Sequence, residues 1–296
     1  MKAFDPKGTG VALVTPFQAD GSVDFTGLKK LVRHVTKGGV EFLVVLGTTA
    51  ESATLSAEEK QQVIQTVLEE NKGQLPVVLG VGGNHTAALV KQLESLDING
   101  LSAILSVAPY YNKPTQAGII AHFKALEAAS PLPIILYNVP GRTSSNISAA
   151  SCLALAHYSQ KFIAVKEASG NMTQIMEILQ AAPAHFSVLS GDDNLTLAMM
   201  ALGARGVISV SGQLEPEIFS QMVRDMLYLR LEDARKKHFQ LYQLTELLFA
   251  EGNPAGVKAA LALKGICEPH VRLPLVAASE SLTYSLSTAL ASLSLS

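Results

Sequence analysis

PLPIILYNVPGRTSSNISAASCLALAHYSQKFIAVKEASGNMTQIMEILQAAPAHFSVLSGDD, residues 131–193, holds three short apolar runs, Ile134–Leu136, Phe162–Val165 and Val188–Leu189. Each is too short for a helix and too evenly apolar for a strand with one wet face. That is how strands buried on both sides of a parallel sheet read. Between the second and third runs, Met172–Ala181 places apolar residues at helical spacing. Outward from this stretch the same runs recur at Val11–Val14, Phe42–Leu46, Val77–Leu79 and Ala103–Val107, and again at Val207–Val210. Ser56–Glu70 is a further helix, opened by a predicted capping box of Ser56 and Glu59 ahead of Val63, Ile64 and Val67. Eight apolar runs alternating with helical stretches predict an α/β fold, a (β/α)8 TIM barrel.

After Gln213 the strand signal stops, and Glu217–Leu229, Leu231–Phe249, Val257–Leu263 and Ser279–Leu293 all read as helices. The predicted organisation is a barrel over residues 1–229 that carries the active site and a C-terminal helical appendage over 230–296. The apolar, Ser-rich tail Leu282–Leu293 has to pack on something, either the barrel or another subunit.

Composition narrows the function. The 296 residues hold 23 Lys and Arg against 25 Asp and Glu, a net charge of −2, and 48% are hydrophobic. Charged residues make up 16%, against about 25% in ordinary soluble domains. Such a chain buries a large core, which excludes disorder as its main state. It has no broad positive field for nucleic acid, and no apolar run nears the roughly 20 residues needed to cross a bilayer. The start, MKAFDPKGTG, has no signal-peptide apolar region. Cys152 and Cys267 stand far apart with no CxxC or Cys/His cluster, so neither disulfide framework nor zinc site is expected. A reducing cytoplasm is the expected location.

In a barrel, substrate meets the carboxyl ends of the strands. Lys166 closes the run Phe162–Val165, where desolvation favours the neutral, nucleophilic amine; the plain alternative is a solvent-reaching lysine paired with Glu167. Tyr137 ends the neighbouring run, as a proton carrier or as an amphipathic core filler. Thr48 and Thr49 follow the second run with hydroxyls and backbone N–H groups suited to a carboxylate; the alternative is ordinary loop chemistry, with Ser52 or Thr54 as the cap of the next helix. Arg142, in a Pro-Gly turn, offers a guanidinium fork for a second carboxylate or simply faces solvent. Gly80–Asn84 lacks the Lys-Ser/Thr of a phosphate loop and reads as a plain turn. Asp192 and Asp193 find no paired histidines for a metal.

Together these residues resemble the dihydrodipicolinate synthase and N-acetylneuraminate lyase family of class I, Schiff-base aldolases. The resemblance runs from Thr9 to about Leu275 and rests on eight strings in order: ALVTPF, GTTAESATL at Gly47, PYYNKP at Pro109, YNVPGRT at Tyr137, VKEASGN at Val165, LSGDD at Leu189, GVISV at Gly206 and NPAGVK at Asn253. Arg142 and Thr48 resemble the synthase branch rather than the lyases. The resemblance implies that Lys166 forms an imine with pyruvate, whose enamine condenses with L-aspartate-4-semialdehyde toward the heterocycle that feeds diaminopimelate and lysine. Tyr137, Thr48 and Tyr111 would form the proton relay, with Tyr111 supplied by the neighbouring subunit of an active dimer, usually paired into a tetramer. Thr49, Ile208, Gly191 and Arg142 would bind substrate. No metal or organic cofactor is implied, since the lysine is the electron sink.

The runner-up functions are another class I pyruvate aldolase, such as a 2-keto-3-deoxy sugar-acid or sialic-acid lyase, and a catalytically silent keto-acid-binding barrel. A metal-dependent class II aldolase would need a His/Asp cluster that the sequence lacks. Two departures from the family pattern stand out. The usual GTTGE reads GTTAE, so Ala50 is expected to lose or strain a tight or positive-φ turn. Ala57 and Ala88 occupy the positions of a His and a Glu that bind lysine in feedback-inhibited members, so inhibition by lysine is expected to be weak or absent.

Overall fold

The computed structural model describes residues 4–294. The first three residues of the stretch MKAFDPKGTG and the last two of the predicted 230–296 part lie outside the described residues. Eight parallel strands, β1 (Gly8–Ala12), β2 (Phe42–Val45), β3 (Val77–Gly80), β4 (Ala103–Val107), β5 (Ile134–Asn138), β6 (Phe162–Glu167), β7 (Ser187–Ser190) and β8 (Gly206–Ser209), follow one another in a closed barrel. The intervening helices are α1 (Phe25–Lys37), α2 (Ala57–Asn71), α3 (Thr86–Glu94), α4 (Gln116–Ala129), α5 (Pro140–Thr143), α6 (Ala149–Tyr158), α7 (Met172–Ala181) and α8 (Thr196–Ala201). Four more complete the chain: α9 (Pro216–Leu227), α10 (Leu231–Phe249), α11 (Ala255–Leu263) and α12 (Glu280–Ser294).

The chain groups into two compact units: residues up to Gly8 with Pro76–Ile208, and Thr9–Leu75 with the residues from Ser209 onward. This grouping runs along different lines from a 1–229 barrel and a 230–296 appendage.

In the first unit, β5 and β6 pair with Tyr137 opposite Lys166 and Asn138 opposite Glu167. Their interiors, Ile134–Leu136 and Phe162 with Ala164 and Val165, are fully buried, as the evenly apolar runs require. Helix starts are fixed by side chains that accept the first free N–H groups: Thr115 for α4, Ser148 for α6 and Asn171 for α7. Gly82, in the glycine-rich turn after β3, sits so close to Val107 that a Cβ would lie 2.5 Å from its Cγ1. That glycine therefore serves packing.

Buried in this unit on α4 is His122, whose Nδ1 lies 2.9 Å from Thr86 Oγ1. Burial pushes its pKa down to about 4. The unfolded chain therefore binds a proton that the folded ring refuses, so stability is intact above about pH 6.5 and falls as pH drops toward 4. Urea unfolding should show a stability slope from this ring approaching about 1.4 kcal/mol per pH unit in that window. His122→Gln should remove that share; an unchanged slope would assign it to other groups, such as His34 and His238, which burial also pushes down.

In the second unit, β1 and β2 pair from Gly10 opposite Phe42 to Ala12 opposite Val44. The capping box at the start of α2 forms as predicted: Glu59 N–H donates to Ser56 Oγ over 3.2 Å and Ser56 N–H to Glu59 Oε2 over 2.9 Å. Ser56 is thus the cap of α2. The tail settles on its own chain. Leu282 and Leu286 of α12 are buried, and the helix packs against α10 and α11, because those helices supply the apolar face it needs.

Among the described residues, no helix is long and apolar enough to cross a membrane.

Candidate active site

Lys166 is the fifth residue of β6, and its side chain is buried, with only 5% exposure. Tyr137 of β5, 6% exposed, is its direct register neighbour, and the Lys166 amine stands 4.4 Å from the centre of the phenol ring. Two independent sequence candidates thus meet in one place: an amine and a phenol, side by side in a largely dry environment. Strand pleating puts both on one face and their successors on the other.

Those successors are Asn138 and Glu167; Lys166 is buried rather than solvent-reaching, and Glu167 takes partners other than the lysine with which the plain alternative paired it. The Glu167 carboxylate is buried and accepts hydrogen bonds from Asn138 Nδ2 and Gln174 Nε2, both at 2.7 Å, and from the Ser169 N–H at 3.1 Å. Asn138 in turn donates to Asn146 Oδ1 over 2.8 Å and accepts from the Ile147 N–H over 2.9 Å. A buried carboxylate with three donors is well satisfied, so the ends of β5 and β6 are cross-tied behind Tyr137 and Lys166. Their signal was legible in principle. Alternation places a polar residue after each candidate, and in-register strands must put those two together.

Gly191, one residue past β7, makes room for the lysine: a Cβ there would lie 2.9 Å from Lys166 Cε and 2.7 Å from Ala168 Cβ. Its backbone N–H donates to the Glu167 carbonyl over 2.7 Å. Ile208, on β8, is fully buried. Arg142 lies in α5, a single turn begun by Pro140, and its guanidinium is exposed.

Tyr111 stands apart. It is 88% exposed, has a left-handed backbone with φ 72°, and makes no hydrogen bond or ring contact with Tyr137. Within one chain the structure brings Tyr137 and Lys166 together but leaves Tyr111 out.

The second unit carries Thr48 and Thr49 on one turn of 3-10 helix, Thr48–Ala50. Thr49 is buried and Thr48 exposed. Ala50 does not need the glycine conformation: it lies within that turn, and the left-handed residue is its successor, Glu51, at φ 53°. The expected loss or strain of the turn at Ala50 therefore does not arise. Its carbonyl accepts a hydrogen bond from Thr15 Oγ1 at 2.8 Å.

Neither cysteine offers an alternative nucleophile. Burial raises the Cys152 thiol far above its ordinary range and pushes Cys267 up to about 12. Among the described residues, no three His, Cys, Asp or Glu side chains gather as a metal site would require. Ala57 and Ala88 are both exposed.

The model of the dihydrodipicolinate synthetase family matches residues 5–293. A protein of Flavobacterium psychrophilum named 4-hydroxy-tetrahydrodipicolinate synthase is 52% identical over 283 residues, covering 96% of each chain. The dihydrodipicolinate synthase of Acinetobacter baumannii, solved with pyruvate, superposes with a TM-score of 0.94 at 36% identity over 98% of this chain and 99% of that one. A structure described as the first monomeric dihydrodipicolinate synthase variant superposes with a TM-score of 0.95 at 36% identity, over 98% and 97%.

Proposed function

Because the chain belongs to the dihydrodipicolinate synthetase family, we propose that its reaction proceeds through Lys166, beginning with an imine to pyruvate. The enzyme is a lyase of the class I aldolase type. It condenses pyruvate with L-aspartate-4-semialdehyde to 4-hydroxy-tetrahydrodipicolinate, in lysine and diaminopimelate biosynthesis. The observation that carries the role of Lys166 is its buried amine beside the Tyr137 phenol on adjacent strands.

The amine attacks the pyruvate ketone carbon and water leaves, giving an iminium that withdraws electrons from the neighbouring methyl group. The methyl loses a proton, which Tyr137 carries; the resulting enamine carbon bonds to the aldehyde carbon as the aldehyde oxygen takes up a proton, and the semialdehyde's amine then attacks the iminium carbon, closing the ring and releasing the Lys166 amine. Thr49 and the backbone at Ile208 hold the pyruvate end, and Gly191 leaves space for the lysine and its adduct. Thr48 and Tyr111 complete the relay. The exposure and left-handed backbone of Tyr111 support its delivery to a second copy of the chain in a dimer, likewise in a tetramer of two such dimers. Lysine, lacking the His and the Glu whose positions Ala57 and Ala88 occupy, inhibits the enzyme weakly or not at all. We place the protein in the cytoplasm.

Borohydride reduction of the protein with pyruvate, followed by peptide mass mapping, tests the reading: the adduct belongs on Lys166. Absence of any labelled lysine would overturn it.

The exposed Arg142 guanidinium is assigned to the carboxylate of the semialdehyde. Arg142→Ala should therefore lower kcat/KM for the semialdehyde by about 10²-fold, as loss of a charge-assisted contact does, and leave imine formation with pyruvate within a few-fold of wild type. Steady-state kinetics beside borohydride trapping separates the two. Equal loss of both would remove Arg142 from this role, and unimpaired use of a polyol aldehyde would favour the sugar-acid lyase reading.

A further inference from the structure

Three consecutive residues of the turn that carries the threonines are each tied to a different part of the second unit. Thr49 Oγ1 accepts from Asn253 Nδ2 over 2.9 Å, the Ala50 carbonyl accepts from Thr15, and the Glu51 carboxylate accepts from two donors. Those donors are Lys258 Nζ, 2.6 Å from Oε1, and the Arg272 backbone N–H, 2.9 Å from Oε2. The Lys258 amine also donates to the His270 carbonyl over 2.8 Å and stands 4.0 Å from the centre of the Phe17 ring, whose neighbour at 4.4 Å is the Arg272 guanidinium.

Lys258 is completely buried, and Glu51 nearly so. A buried pair of this kind is a poor source of stability, since desolvating both charges offsets most of their attraction, and apolar replacements of the pair are commonly tolerated. What the pair does supply is geometry. Glu51 sits in the left-handed region, which a residue with a side chain adopts only when its surroundings impose it. The pair, with the Arg272 N–H, imposes it, and so fixes the direction in which the chain leaves the turn. The Asn253 contact acts on the hydroxyl itself: with Thr49 Oγ1 already accepting, its own proton is left to donate to another acceptor.

We propose that Lys258, acting through Glu51, and Asn253, acting through Thr49, are positioning residues that aim the Thr49 hydroxyl at the carboxylate of pyruvate. The proposal rests on the reading above that Thr49 holds the pyruvate end. None of the four side chains involved belongs to the proton-transfer or imine chemistry, so their effect falls on pyruvate binding.

The test compares wild type with Lys258→Met, Glu51→Gln/Lys258→Met and Asn253→Ala, measuring Tm, kcat and the KM of each substrate. Lys258→Met leaves a buried carboxylate without its partner, so Tm should fall and pyruvate KM should rise by about tenfold or more, the scale of a small misplacement of a binding group. The double variant removes the orphaned charge. Its Tm should recover while pyruvate KM stays raised, with the semialdehyde KM within a few-fold of wild type. Asn253→Ala should raise pyruvate KM alone. Should Lys258→Met fail to fold, the double variant and Asn253→Ala carry the test. A double variant whose pyruvate KM returns to wild type together with its Tm would show a purely structural pair and overturn the proposal, as would an unmoved KM in Asn253→Ala. Wild-type protein that forms no imine with pyruvate would instead overturn the functional reading beneath it.

Discussion

Lys166→Ala is expected to lower kcat/KM for the condensation by about 10³-fold or more, the scale seen when a covalent nucleophile is removed. The amine is the only part of the site that can bond to the ketone, and its immediate neighbour, the Tyr137 phenol, cannot form an imine. The fold should survive the change. The amine contacts the phenol ring rather than a buried acceptor, so alanine orphans no polar partner and leaves only a small cavity beside Gly191. Circular dichroism should match wild type while borohydride trapping with pyruvate yields no adduct. Lys166→Arg should be as inactive, because a guanidinium keeps its proton and offers no free electron pair. Activity within tenfold of wild type, or an adduct on another lysine, would move the chemistry elsewhere.

Tyr137→Phe is expected to lower kcat by about 10²- to 10³-fold, within the span that general acid–base groups supply. The phenylalanine ring occupies the same buried space next to the Lys166 amine, so packing is retained and only the hydroxyl is lost. Imine formation should still be detectable after long incubation, since attack by the amine needs no hydroxyl, whereas exchange of pyruvate methyl protons with deuterated solvent should slow in parallel with kcat. Unchanged proton exchange in this variant would assign the transfer to another group.

The barrel was legible because its strands are buried on both faces and so are written as apolar runs; where the runs mislead, the reason is local. Val11–Val14 predicted the first strand, yet it spans Gly8–Ala12. The glycines that look like breakers are needed, since a Cβ on Gly10 would lie 2.1 Å from the Phe42 ring. Beyond Ala12 the ladder passes partly to a side chain, with the Val14 N–H donating to Gln213 Oε1 over 3.0 Å. At β5 and β6 the apolar criterion stops two residues early, at Leu136 and Val165, because each strand ends in polar residues. The candidate residues Tyr137 and Lys166 therefore lie within the strands rather than after them, which is why their geometry is so closely fixed. The tie of Glu167 to Asn138 and Gln174 was missed because a sequence does not display pairing across strands. Lys258, Glu51 and Asn253 were missed for a related reason: residues separated by about two hundred positions share one contact, and no local pattern announces it.

Among the described residues, two lysines are almost wholly enclosed, and only one of the two has its amine uncommitted to a carboxylate. At Lys258 the nitrogen is shared among an anion, a carbonyl and an aromatic face, with no surface through which a ketone could approach. The fold thereby separates the two interior amines: the one at Lys258 is sealed by its carboxylate and carbonyl partners, and the one at Lys166 is sheltered with the Tyr137 ring rather than an anion against it. Discrimination among chemically identical groups thus comes from what the other amines are already holding.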